Sequence, residues 1–158
     1  MVLKKKKIKN LAFFLDRDGV INHEIGYIKK WNDIKFYNRT LDALNIIQKA
    51  GFLIIIITNQ SGVSRGYYSL KDMHRFNEEL SKQLEENYNI HINFIKYCIH
   101  LPSDKCNCRK PNIQLLNELE KDFGLDKRKT LFVGDSESDE LFAKKGNIAF
   151  LKFIDNYE

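Results

Sequence analysis

Apolar runs recur along this chain, and several of them stop at residues able to do chemistry. Leu11 to Leu15 is wholly apolar and ends at Asp16-Arg17-Asp18-Gly19. A short apolar run closed by acids and a glycine predicts a buried strand that delivers its last side chains to a sheet edge. Leu41, Leu44, Ile46 and Ile47 then recur at helical spacing, with Thr40 as the expected N-cap and Gly51 as the stop. Phe52 to Ile57 is apolar and rich in isoleucine, the composition of a central parallel strand covered on both faces. Ser69 and Asp72 predict a capping box for a second helix, whose Met73, Phe76, Leu80 and Leu84 form one buried stripe. Further strands are expected at Asn93 to Cys98, Thr130 to Val133 and Ile148 to Leu151. A helix is expected over Asn112 to Phe123, opened by Pro111 and closed by Gly124. Residues 22 to 37, with Gly26-Tyr27, Trp31 and Phe36, keep no period and predict a loop across the mouth of a site.

Strands separated by helices imply right-handed crossovers and an α/β fold. A length of 158 residues suits one domain over 1–158, with 1–9 as a basic lead-in. The run Phe52 to Ile57 is too short to span a bilayer and no signal-peptide pattern precedes the first strand, so a soluble, cytoplasmic protein is expected. The net charge of +5 and the cluster Lys4 to Lys7 draw anions of any kind, so charge does not separate a phosphorylated small molecule from a nucleic acid.

Along a continuing strand, Asp16 and Asp18 would share one side and Arg17 would point away. Two carboxylates that close need a cation between them, or one keeps a proton. Both suit phosphate chemistry, although Asp18-Gly19 is also an ordinary turn signal. Thr58 to Gly66, at the end of the second strand, offers a hydroxyl and close-approaching backbone N–H groups to a phosphate, or is simply a polar loop with two glycines. Cys98, His100, Cys106 and Cys108 lie within eleven residues. Three sulfurs and an imidazole match a closed, structural Zn2+ site. Such a clamp would fix Arg109 and Lys110, presenting a cation to phosphate without the ordering cost of a free lysine. Asp135 and Asp139 follow the fourth strand as candidate Mg2+ ligands, with Glu137 and Glu140 facing solvent.

The ordered set Asp16/Asp18, Thr58, Lys110, Asp135/Asp139 resembles the four motifs of the haloacid dehalogenase superfamily over residues 11 to 151. Gly26-Tyr27, Thr-Asn-Gln-Ser-Gly, the Cys/His loop and Cys-Arg-Lys-Pro are similar to its capless branch, which holds the D-glycero-D-manno-heptose 1,7-bisphosphate 7-phosphatases and the histidinol-phosphate phosphatases. The run Ser61 to Gly66 is nearer the former. The resemblance implies a Rossmann-like three-layer sandwich around a mainly parallel sheet, with no separate cap domain and a zinc-clamped loop. It implies Asp16 as nucleophile and Mg2+ ligand, Asp18 as general acid/base with its carbonyl on Mg2+, Thr58 and Lys110 on the transferring phosphoryl group, and Asp135, supported by Asp139, completing the Mg2+ site. Asn59, Arg65 and Arg109 are candidates for the far end of a substrate, where a second phosphate would suit guanidinium. A monomer acting on a sugar phosphate, with no nucleic-acid or membrane partner, is expected. Histidinol phosphate is the alternative substrate, and a zinc-stabilised nucleic-acid module leaves Asp16, Asp18 and Asp135 unexplained. Two positions depart from the family: Asn38-Arg39 stand where Pro-Gly is usual, and Ser136 where many members carry lysine.

Overall fold

The computed structural model describes residues 10–23 and 34–155. Strands β1 (Ala12–Leu15), β2 (Leu53–Asn59), β3 (Phe94–Cys98), β4 (Leu131–Gly134) and β5 (Ala149–Lys152) form one sheet in the order β3-β2-β1-β4-β5. Every neighbouring pair is parallel. Helices α1 (Asn38–Lys49), α2 (Leu70–Tyr88), α3 (Gln114–Phe123) and α4 (Glu137–Gly146) cover its two faces.

Alternation along the strands sorts the core into two layers. Phe13, Leu15, Ile54, Ile56 and Val133 pack with α1 and α2 through Leu41, Leu44, Leu80 and Leu84. Ala12, Phe14, Ile55, Ile57 and Phe132 pack with α3 and α4 through Leu115, Leu116, Leu119 and Phe142. Both faces of β1 and β2 are therefore dry, which is why those runs are continuously apolar instead of alternating. The chain winds outward from β1 to β3, then crosses back to β4. That reversal opens a crevice at the carboxyl ends of β1 and β4, where open α/β sheets bind ligands.

The three-layer architecture is the expected one, and Ser69 and Asp72 form the anticipated reciprocal cap on α2. Several boundaries differ. Thr40 does not cap α1: the helix begins two residues earlier after Tyr37, and the Thr40 hydroxyl donates to the Val20 carbonyl at 2.7 Å. A buried hydroxyl finds its acceptor in the segment after β1 and has no need of the helix end. Ile46 is 69% exposed, outside the buried stripe of α1. α3 starts at Gln114, because Pro111 and Asn112 are used in the turn that carries Lys110. Gly26, Tyr27 and Trp31 of the expected loop, and Lys4 to Lys7, lie outside the described residues. The ends of that loop are drawn together, His23 N–H donating to the Lys35 carbonyl and Tyr37 N–H to that of Ile21. No helix among the described residues is long and apolar enough to cross a membrane.

Candidate active site

A cavity of about 370 Å3 opens at the carboxyl edge of the sheet. Asp16, Asp18, Thr58, Asn59, Arg109 and Lys110 line it, together with Asp135 from the end of β4. Asp139 is fully buried, and Arg65 is exposed and outside the lining.

One half of the site is built on Lys110. Its ammonium, 2% exposed as a residue, donates to the Ile57 carbonyl at 2.7 Å and lies 3.0 Å from Asp16 Oδ1 and 2.7 Å from Asp139 Oδ1. One hydrogen bond and two ion pairs thus hold the ammonium. Burial opposes the charge on Lys110, but the two carboxylates overcome it and raise its pKa above the ordinary lysine value. Asn59 holds the same residue by its backbone, accepting from the Lys110 N–H at 3.0 Å and donating to its carbonyl at 3.2 Å. Asp16 shows the opposite balance. Burial, with Asp139 and Asp18 nearby, pushes its carboxyl up to about 7 against the pull of Lys110. Carboxylate oxygens of Asp16, Asp135 and Asp139 lie within 4.8 Å of one another.

Two glycines make that crowding possible. A Cβ on Gly19, whose φ is +81°, would meet Asp135 Oδ2 at 2.0 Å, and one on Gly134 would meet the Asp139 side chain at 2.4 Å. The backbone has been cleared for acids to approach it. Three hard oxygen donors with one lysine among them form a group that fits a divalent cation such as Mg2+.

The second half is built on Arg17, and it corrects the sequence expectation. β1 ends at Leu15 and the chain turns at once, with the Ile21 N–H on the Arg17 carbonyl at 2.9 Å, so strand alternation does not extend through residue 18. Arg17 lines the cavity instead of pointing away, is 5% exposed, and grips Asp18 with Nε at 3.2 Å and Nη2 at 2.8 Å. Asn22 and Gln60 also donate to Asp18, at 3.0 and 2.9 Å. Burial of Asp18 favours the neutral acid, yet these donors, Arg17 foremost, hold its pKa below the usual carboxylate range. The two carboxylates of the motif do share one site, with opposite proton affinities.

Gln60, whose role the motif does not reveal, is the junction between them. Its Nε2 donates to Asp18 Oδ2 and to Thr58 Oγ1, each at 2.9 Å, and its Oε1 accepts from Arg17 at 2.9 Å and Tyr68 at 2.8 Å. Reversing the amide would set oxygen against carboxylate and nitrogen against guanidinium, so the orientation is fixed. Because Thr58 Oγ1 accepts from Gln60, its own hydrogen is left to donate to a ligand.

The four Cys/His ligand atoms also lie within 4.8 Å of one another. His100 Nδ1 is 3.4 Å from Cys98 Sγ and 3.2 Å from Cys108 Sγ, and Cys106 Sγ is 3.5 and 3.7 Å from the other two sulfurs. A tetrahedral zinc centre with Zn–S near 2.3 Å spaces its sulfurs about 3.8 Å apart; Cys106 stands near that spacing from the other two, whereas Cys98 and Cys108 Sγ lie closer, at 2.7 Å. Burial drives the Cys98 thiol well up. At Cys106, hydrogen bonding from the Arg109 N–H and the neighbouring sulfurs outweighs burial and lowers the pKa. The same loop holds Arg109, whose Nη1 donates to the His100 carbonyl at 3.3 Å at the cavity wall.

The sequence pattern of the polynucleotide kinase 3 phosphatase family matches residues 9–153. The chain belongs to this family. It is 37% identical over 132 residues to the D-glycero-beta-D-manno-heptose-1,7-bisphosphate 7-phosphatase of Helicobacter pylori, a match spanning 84% of this chain and 76% of that protein. It is 41% identical over 140 residues to a Thermoplasma volcanium protein named "Probable D-glycero-D-manno-heptose-1,7-bisphosphate 7-phosphatase", across 88% and 95% of the two chains. The solved structure of the D,D-heptose 1,7-bisphosphate phosphatase of B. bronchiseptica, complexed with magnesium and phosphate, superposes with a TM-score of 0.81 at 26% identity, covering 89% of this chain and 79% of that one.

The haloacid-dehalogenase-like resemblance read from the four motifs thus agrees with the family. Ser136, the departure from the commoner lysine, has a local use in this member. Its hydroxyl donates to Asp139 Oδ2 at 2.7 Å and accepts from the Asp139 N–H at 3.3 Å, capping α4. Lys110 supplies the cation to the same carboxylate from the other side.

Proposed function

We propose that this protein removes the 7-phosphate of D-glycero-D-manno-heptose 1,7-bisphosphate in a two-step phosphoryl transfer through Asp16, serving nucleotide-heptose synthesis in the cytoplasm. The observation that carries the reading is the Asp16 carboxylate in an open cavity, set between Lys110 and two further acids. Both hydrogen bonds to Asp16, from the Arg17 N–H at 2.8 Å and from Lys110, fall on Oδ1. Oδ2 is then the oxygen that attacks phosphorus, expelling the sugar alkoxide and leaving an aspartyl-phosphate for water to hydrolyse.

Asp18 is the proton carrier of both steps. Held ionised by Arg17 at rest, it is ready to take a proton from the water of the second step. Its acid role in the first step belongs to the substrate complex, where the negative charge of an incoming phosphoryl group raises its proton affinity. Thr58 donates to a phosphoryl oxygen. Lys110 keeps the nucleophile in place and offsets the charge gathered around it. Asp16 and Asp135 would hold Mg2+ with the Asp18 carbonyl, while Asp139, both of whose oxygens are engaged by Lys110 and Ser136, acts as support. That ion, when bound, neutralises charge on the transferring phosphoryl group. Arg109 faces the far end of the substrate, where a second phosphate would meet it. Asn59 acts through Lys110, and Arg65, exposed and not among the residues lining the cavity, is given no role.

Phosphate release in the presence of Mg2+, compared between the two anomers of the heptose bisphosphate and histidinol phosphate, tests the reading. Preference for a heptose bisphosphate, with the 1-phosphate as product, is expected. Preference for histidinol phosphate would keep the catalytic residues and overturn the substrate.

We also propose structural zinc at Cys98, His100, Cys106 and Cys108. One zinc per chain is expected by elemental analysis, with all three thiols slow toward a thiol reagent until a strong chelator strips the ion. Folding stability should drop on stripping, because such a site supplies folding energy directly. Metal-free protein with three readily reacting thiols would remove the assignment.

A further inference from the structure

One buried polar side chain in α2 has no part in the chemistry above. Asn77 sits on the inward stripe of that helix between Met73 and Leu80, and is 7% exposed. Asparagine is a poor helix residue and a costly core residue unless its polar atoms are matched. Its Oδ1 accepts from Arg17 Nη1 at 2.9 Å. The neighbouring Phe76 ring lies under the same guanidinium, 4.6 Å from its carbon to the ring centroid. Gln60 takes Nη2 at 2.9 Å, and the remaining edge of the fork grips Asp18. The Arg17 plane is thus held from two elements beyond its own turn: α2 through Asn77 and Phe76, and the loop after β2 through Gln60.

We propose that Asn77 is a positioning residue that acts through Arg17 to fix the Asp18 carboxylate. The proposal rests on the reading of Asp18 as the proton carrier. A planar guanidinium transmits orientation: with Nη1 anchored on Asn77, Nε and Nη2 can meet Asp18 in only one plane. Without that anchor Nη1 has no acceptor, and only Gln60, the Phe76 ring and Asp18 itself hold the plane of the fork. Asp18 then loses one of the constraints on its direction, beside those from Asn22 and Gln60, while Asp16, which meets Arg17 only through the backbone N–H, keeps its contacts to that N–H and to Lys110.

The test is kinetic and structural. Asn77→Leu keeps the volume and removes the acceptor, and Asn77→Asp keeps an acceptor in place. With the heptose bisphosphate as substrate, kcat of Asn77→Leu is expected to fall about 10- to 100-fold, part of what a positioned acid or base contributes, with KM within about threefold; Asn77→Asp should recover most of the loss. Asp18→Asn alone should cost on the order of 10^2- to 10^4-fold. Adding Asn77→Leu to Asp18→Asn should then cost nothing more, since the group it positions is gone. A crystal structure of Asn77→Leu should show Asp18 turned from its present contacts.

Losses that multiply in the double variant, or an Asp18 that keeps both Arg17 contacts in that crystal structure, would overturn the proposal. An Asp18→Asn protein with full activity would instead sink the proton-carrier reading. The crystal structure would still decide whether Asn77 fixes Asp18, and it needs no turnover to do so.

Discussion

Replacing Asp16 by asparagine is expected to abolish phosphate release, with a loss on the order of 10^6-fold by comparison with nucleophile removal in other covalent catalysts. The amide oxygen is a poor nucleophile, and it cannot form the acyl phosphate on which the second step depends. The change is nearly isosteric, and the Oδ1 that accepts from the Arg17 N–H and Lys110 is retained. Folding should therefore survive. In metal-free buffer the variant should even gain stability relative to the wild type at neutral pH. Burial raises the Asp16 carboxyl from 3.8 to about 7, so ionising it costs the native state more than the unfolded chain. Wild-type stability then falls as pH rises from about 4 to 7, and the asparagine variant lacks that fall. Denaturant midpoints across that range, beside assays of phosphate release, separate a missing nucleophile from a damaged fold. Retained activity in Asp16→Asn would end the aspartyl-phosphate reading.

Lys110→Met should harm both properties at once. The lysine side chain is 1% exposed and pairs with Asp16 and Asp139, whose side chains are 15% and 0% exposed. Removing one partner of a buried ion pair costs about 3–5 kcal/mol, because the charge left behind has neither water nor a counterion. At Lys110 the methionine leaves two crowded acids and an orphaned Ile57 carbonyl. A lowered urea midpoint at pH 7 is expected, together with a large loss of turnover. Asp139→Asn in the Lys110→Met background should regain part of the stability by lightening the negative charge, and none of the turnover. If Lys110→Met unfolds at the wild-type midpoint, the lysine is not the electrostatic keystone of this half of the site.

The strands were readable because local composition dictates them. Ile54 to Ile57 must be dry on both faces, and an uninterrupted apolar run is the only way to write that. The capping box at Ser69 and Asp72 was legible for a similar reason, since both partners lie within one helical turn. The Cys/His group also announces itself locally, with four metal-ligand side chains inside eleven residues.

Arg17 escapes the alternation rule because β1 stops at Leu15, two residues before it. The turn that ends β1 is set by Gly19 and by contacts with residues 21 and 22, and it aims the arginine into the site. Asn77 carried a signal that went unused, being a polar residue on an otherwise apolar helix stripe. The motif points to Asn59 and Gln60 but not to what each holds, because an amide in a polar loop looks the same whether it faces water, a substrate or two other side chains of the site.

The sequence by itself determined the strand and helix pattern, the acids at the ends of β1 and β4, the cations and the clustered cysteines, since each is written in residues close together along the chain. Tertiary structure alone decided how the charges pair. Lys110 reaches Asp16 and Asp139 from 94 and 29 residues away, and Arg17 reaches Asn77 from 60. Which acid is kept ionised and which is pushed toward neutrality follows from those distances and from burial. Both exist only once the sheet has brought its strand ends together.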